Sequence, residues 1–249
     1  MEKSILSSSR GYKLALLKDM PPSGMSHILI ACHGFLGGKE NGGWIDYLAA
    51  GLKPLGIGLV AFDFEGCGES EGDFAGITLS RQVSNLREIM AYVRKDYEVP
   101  QILLGRSFGG STVLAADKEK QAAGLILWSA PVFMADTFYN IMPAEYEKLE
   151  KGLAITYRDG NRLINLNPDF VKDFVNHDMD KYLLNLENKP LLVIHGTADK
   201  VVSPANCHYI AEKLPHAQVH MIEAADHSFT GKEQLRIDLT LEWLQNMIG

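Results

Sequence analysis

At 249 residues, 46% apolar and 22% charged, the chain has the composition of an ordinary globular protein long enough to bury one sizeable core. A formal charge of −7 counts against nucleic acid and anionic membrane surfaces as partners. Cys32, Cys67 and Cys207 have no metal-ligand spacing, and residues 1–10 lack a signal-peptide core, so reduced thiols and a cytoplasmic protein without a membrane span are expected. Residues 4–8 and 12–17, separated by Arg10-Gly11, are expected to pair as an antiparallel hairpin. Residues 27–32 form a continuous apolar run, as a strand covered on both faces requires. A helix over 44–52 stops near Pro54, and 57–62 is the next strand. Val83, Leu86, Ile89, Met90 and Val93 place a helix over 79–93. Then come a strand at 101–104, a helix over 110–117, and a strand at 124–128, the sixth. The chain closes with strands at 190–194 and 218–222 and helices over 204–214 and 233–247. Strands alternating with helices imply one α/β domain, 1–249, with a mostly parallel, doubly wound sheet.

Residues 132–188 break this rhythm. They carry no buried-strand signal but many aromatics, among them Phe133, Phe138, Tyr146, Tyr157, Phe170, Phe174 and Tyr182. The segment is too long for one crossover. It is expected to be a cap inserted after the sixth strand, over the sheet edge where ligands bind in open α/β sheets. A surface excursion with its own small core is the alternative.

Gly105-Arg106-Ser107-Phe108-Gly109 lies between the fifth strand and a helix. A turn that tight brings the residues two either side of the serine together, which glycine tolerates. It also lifts the Ser107 hydroxyl off the sheet. A serine needs a base, and the base an orienting carboxylate. His227 lies in the loop after the last strand, and Asp199 in the loop after the strand before it. His33 and His195 are rivals at strand ends, and Glu223 stays open as the acid; Asp226 adjoins His227, and neighbouring side chains usually diverge. Two backbone N–H groups are expected to hold an oxyanion, those of Phe108 and of Phe35 in the glycine-bearing loop 33–38. Asp63 is expected to tie down its own loop, and Glu65, Glu69, Glu71 and Asp73 to be solvated. For Arg106 two readings stand, a buried ion pair and the steering of an anionic substrate.

These residues resemble the α/β-hydrolase superfamily: His33-Gly34-Phe35, the loop from Asp63 to Ser70, the elbow at Gly105–Gly109, His195-Gly196-x-x-Asp199, and His227. The order Ser107, Asp199, His227 is the order of that fold. The compact length, the His-Gly-Phe opening and the long insertion are similar to bacterial carboxylesterases of the feruloyl (cinnamoyl) type. There the resemblance implies a small cap over a pocket for an aromatic acyl group. This chain has Arg106-Ser107-Phe108 where such esterases usually carry His-Ser-Gln.

The expected activity is hydrolysis of a small-molecule carboxylic ester, hydroxycinnamoyl or short-chain, through an acyl-enzyme. No metal or organic cofactor is implied, no nucleic acid partner is expected, and a homodimer stays open. A thioesterase, lipase or peptidase with the same triad is the alternative, as is a cofactor-free perhydrolase. A non-catalytic binding protein on the same scaffold would be expected to lack a triad member.

Overall fold

The computed structural model describes residues 1–117 and 121–249. An eight-stranded sheet has the order β1-β2-β4-β3-β5-β6-β9-β10. Its strands are β1 (Glu2–Ser7), β2 (Lys13–Asp19), β3 (His27–Cys32), β4 (Ile57–Phe62), β5 (Gln101–Arg106), β6 (Gly124–Trp128), β9 (Leu191–Gly196) and β10 (Gln218–Ile222). β2 pairs antiparallel with β1 and β4, and the other pairs are parallel. The central strands β3, β4, β5, β6 and β9 are buried almost end to end, which accounts for their continuous apolar runs.

Helices cover both faces. α1 (Trp44–Leu52) and α9 (Glu233–Ile248) pack with Leu29, Ala61, Leu104, Ile126 and Leu192 on one side. α2 (Leu79–Asp96), α3 (Phe108–Ala116) and α8 (Ala205–Lys213) pack on the other, with Ile30, Val60, Leu103 and Val193. α2 is three residues longer than its apolar stripe predicts. Thr78 caps it by accepting from the Arg81 N–H at 3.1 Å, and Arg94 and Lys95 suit the negative end of its dipole. β5 and β9 likewise run two residues past their apolar cores, to the loops that carry Ser107 and Asp199.

The chain steps from β3 to β4 on one side, then returns to β5 on the other side of β3. The C-terminal ends of β3 and β5 therefore flank a switch point, the place where open α/β sheets bind ligands. Cys32 pairs with Gly105 there, so the loops opening at His33 and Arg106 start side by side.

Between β6 and β9 the chain builds α4 (Met134–Ile141), α5 (Pro143–Glu150), a hairpin of β7 (Ile155–Asp159) and β8 (Arg162–Leu166), α6 (Asp169–Lys172) and α7 (Met179–Leu184). The hairpin is a departure from the sequence expectation. Its strands are buried mainly at Ile155 and Leu166 and otherwise half-buried or exposed, so they lack the apolar alternation of a buried strand. The insertion has no separate core, because Phe138, Leu149, Phe170, Leu183 and Phe108 of α3 belong to one apolar cluster. Ser80, at the start of α2, ties it down: Asp173 accepts from the Ser80 N–H and Oγ, both at 2.7 Å. The three cysteines are free and buried, and burial pushes the Cys67 and Cys207 thiols up to about 12. Among the described residues, no helix is long and apolar enough to cross a membrane.

Candidate active site

Ser107 stands between β5 and α3 with φ +52° and ψ −128°, strained for a residue with a Cβ. The neighbouring glycines are required by space. A Cβ on Gly105 would lie 2.4 Å from the Gly109 carbonyl oxygen, and one on Gly109 2.4 Å from that of His33. The elbow is pinned by the Ser107 N–H on the Trp128 carbonyl at 2.8 Å and the Gly110 N–H on the Ser107 carbonyl at 2.7 Å.

His227 Nε2 is 3.1 Å from Ser107 Oγ, and His227 Nδ1 is 2.8 Å from Asp199 Oδ2. The other Asp199 oxygen accepts from the N–H groups of Val201 and Val202, both at 2.9 Å. The Asp199 side chain is fully buried and that of His227 is 16% exposed. Burial alone would raise the Asp199 carboxyl. Its bonds to His195 and His227 and the His227 charge outweigh burial and hold it well below the usual carboxylate range. The two loops are laced together: Thr197 and Ala198 donate to the carbonyls of Ile222 and Ala225, and Gly196 leaves only 2.2 Å between a Cβ and the Ala225 oxygen.

The rivals fall elsewhere. His195 is fully buried, with Nε2 donating to the Val202 carbonyl at 2.9 Å and lying 3.4 Å from Asp199 Oδ2, so it supports the acid and does not face the serine. His33 bridges two loops: Nε2 accepts from the Phe64 N–H at 3.2 Å while Nδ1 donates to the Gly34 carbonyl at 2.8 Å. Asp226 folds onto its own turn, accepting from the N–H groups of Ser228 and Thr230 and from the Thr230 hydroxyl. Glu223 is exposed.

A Cβ on Gly34 would sit 3.0 Å from the Ser107 Cβ, so the loop carrying Phe35 passes directly over the serine. Among the described residues, neither the Phe35 nor the Phe108 N–H donates to a protein acceptor. The Phe35 ring is half-buried and the Phe108 ring fully buried, and both belong to an aromatic cluster. Phe35 packs on Phe74, Phe138 and Phe170 at 5.4, 5.2 and 5.3 Å, and Phe108 on Phe138 at 5.2 Å.

Asp63 does hold its loop, and its partner is one the sequence did not suggest. Lys39 is 1% exposed, and Asp63 accepts from its backbone N–H at 2.6 Å and its Nζ at 2.8 Å. Burial would lower the Lys39 ammonium, but its bonds to Asp63, Glu69 and Glu40 hold it above its ordinary value. The pair fastens the loop after β4 to the loop over Ser107. Glu65 corrects the expectation of a solvated acidic run: it is 6% exposed, 3.6 Å from Arg10 and 3.9 Å from Arg81. Arg106 makes no ion pair among the described residues, which removes the first of its two readings. Its Nη2 reaches Ser228 Oγ at 3.5 Å and its Nε is buried without a partner.

The family model described as serine aminopeptidase, S33, matches residues 24–179. Monoglyceride lipase of Rattus norvegicus is 38% identical over 237 residues, covering 83% of this chain and 77% of that protein. The chain belongs to the serine aminopeptidase S33 family of α/β hydrolases. Palmitoyl-protein thioesterase ABHD10, mitochondrial, of Pongo abelii is 23% identical over 203 residues. The match covers 79% of this chain but 65% of that protein, so the chain spans slightly less than two thirds of its length. The fold is shared with Est1E of Butyrivibrio proteoclasticus, solved with ferulic acid bound. That structure superposes with a TM-score of 0.83 at 20% identity, covering 100% of this chain and 99% of the other.

Proposed function

We propose that this S33-family hydrolase cleaves carboxylic esters through an acyl-enzyme on Ser107. The observation that carries the reading is the relay from Ser107 Oγ to His227 Nε2 at 3.1 Å and from His227 Nδ1 to Asp199 at 2.8 Å. His227 takes the hydroxyl proton as Ser107 attacks the carbonyl, then gives it to the departing alcohol. Asp199 fixes the imidazole tautomer and balances the imidazolium. The Phe35 and Phe108 N–H groups receive the oxyanion, each lowering the barrier by about 3 kcal/mol. Water then releases the acid by the same route.

The insertion acts as a cap, and its buried Phe138, Phe170 and Phe174 pack against Phe35 and Phe108. The half-buried Phe35 ring offers an apolar surface to the acyl group, hydroxycinnamoyl or short-chain aliphatic. The test is hydrolysis of p-nitrophenyl acetate, butyrate and octanoate beside methyl ferulate, by wild type and Ser107→Ala. Turnover by the wild type alone is expected. The ratio of ferulate to aliphatic rates separates the two acyl classes, and equal rates for the two proteins would sink the reading.

A further inference from the structure

A pocket of about 880 Å³ opens on the sheet face covered by α1 and α9. Arg106 and Ser228, the chain neighbours of Ser107 and His227, line it together with Asn41 and Trp44. Three of these side chains carry buried polar atoms without partners: Nδ2 and Oδ1 of Asn41, Nε1 of Trp44 and Nε of Arg106. Asn41 is 6% exposed and Trp44 8%. Unpartnered buried polar atoms are rare in folded proteins, and here three donors and one acceptor gather at one wall. Asn41 leads into α1, whose N-terminus at Trp44 has no side-chain cap.

The charge is unbalanced in the same sense. Arg236 lies behind the wall, 1% exposed, with its guanidinium 5.0 Å from the ring centre of Trp44, 4.2 Å from Trp128 and 4.8 Å from Phe229. Among the described residues, none of its three nitrogens has a hydrogen-bond partner. Burial and then the like charge of Arg106 push Arg236 down to about 9, against the pull of Glu233. Burial lowers Arg106 as well, against Asp199 and Asp226. Asp46 and Glu233 also line the pocket, but both are exposed and screened by water, whereas Arg106 is half-buried and Arg236 buried. Two desolvated cations without a paired carboxylate, beside orphaned donors, make a cradle for a negative group.

We propose that this pocket receives an anionic oxygen group, a carboxylate or a phosphate, carried by one arm of the ester substrate, with Arg106 as its counter-ion. The proposal rests on the ester-hydrolase reading and adds a charge requirement to it. The half-buried Phe35 ring would meet one arm of the ester and the Arg106 pocket would take the other.

Two matched pairs of esters test it. 4-Acetoxybenzoate against 4-acetoxybenzamide puts the carboxylate on the leaving alcohol. 4-Nitrophenyl hemiglutarate against 4-nitrophenyl valerate puts it on the acyl arm. In one pair the wild type should favour the charged ester by about tenfold or more in kcat/KM, chiefly through KM. Arg106→Gln should bring that ratio to about one, and Arg106→Lys should restore part of it. Cleavage of the neutral esters without preference in either pair overturns the anion site and leaves the hydrolase reading intact. A preference that survives in Arg106→Gln also overturns it. If no ester is cleaved, the hydrolase reading fails separately, and calorimetric titration with glutarate and inorganic phosphate decides the pocket. Saturable binding of either by the wild type, weakened about tenfold by Arg106→Gln, supports it; no saturable binding of either overturns it. The wild-type titration stands even where a substituted protein does not fold.

Discussion

Among the described residues, two clusters of serine, histidine and aspartate differ in their wiring. In the first, His227 stands between Ser107 and Asp199, with Nε2 toward the hydroxyl and Nδ1 on the carboxylate. In the second, Ser80 gives its hydroxyl proton directly to Asp173 Oδ1 at 2.7 Å. His177 Nε2 lies 3.0 Å from Ser80 Oγ and 3.2 Å from Asp173 Oδ2, while Tyr182 donates to its Nδ1 at 3.1 Å. A serine hydrogen-bonded to a carboxylate is not activated by the histidine beside it. Ser80 also lacks the strained elbow of Ser107 and sits in the first turn of α2, where Asp173 takes its N–H. The second cluster is therefore a strap joining the insertion to the body. Composition does not separate the two arrangements; the order of the hydrogen bonds does.

The comparison breaks most sharply on the serines. Ser107→Ala should lower kcat/KM for a cleaved ester by roughly 10⁴-fold or more, while Ser80→Ala should leave turnover within about twofold and cost about 1–3 kcal/mol of stability. Steady-state kinetics beside denaturant titration separates the two, and a large kinetic loss in Ser80→Ala would erase the distinction. Asp199→Asn should follow with a loss of about 10³–10⁴-fold.

Lys39→Met sharpens the structural side, because it leaves the buried Asp63 carboxylate unpaired and should cost about 3–5 kcal/mol. A fall in Tm together with reduced turnover is expected, since the same pair anchors the loop over Ser107. The smallest effect is in pH. Burial would raise the Asp173 carboxyl, but bonds from His177, Ser80 and Asn176 hold it well below its ordinary value. A depressed carboxyl stabilises the fold above its unfolded pKa, about 4, and that stability is lost as pH falls through the folded value. Asp173→Asn should flatten the acid limb of a stability–pH profile measured by denaturant titration. An unchanged limb would mean that the strap contributes nothing.

The strand–elbow–helix unit was legible because its constraints are local: Gly105 and Gly109 stand where a Cβ would meet backbone at 2.4 Å. Asp199 and His227 were legible because strand ends in a parallel sheet converge on one edge. The hairpin of β7 and β8 was not, since its strands lack a buried face, although Asp159-Gly160-Asn161, with Gly160 at φ +56°, is the turn such a hairpin needs. Lys39 in a glycine-bearing loop reads as a solvated cation until Asp63, 24 residues on, is brought against it. The Ser80–Asp173 strap spans 93 residues and leaves no local pattern. Arg236 resembles any charged residue of an amphipathic helix, and only the packing of Trp44, Trp128 and Phe229 around it reveals its burial.

The most direct test of the account is to label the protein with a fluorophosphonate and locate the adduct by peptide mass spectrometry. A single adduct on Ser107, absent from His227→Ala and still formed in Ser80→Ala, is the predicted result. An adduct on Ser80, or no adduct in a folded wild type, would contradict it.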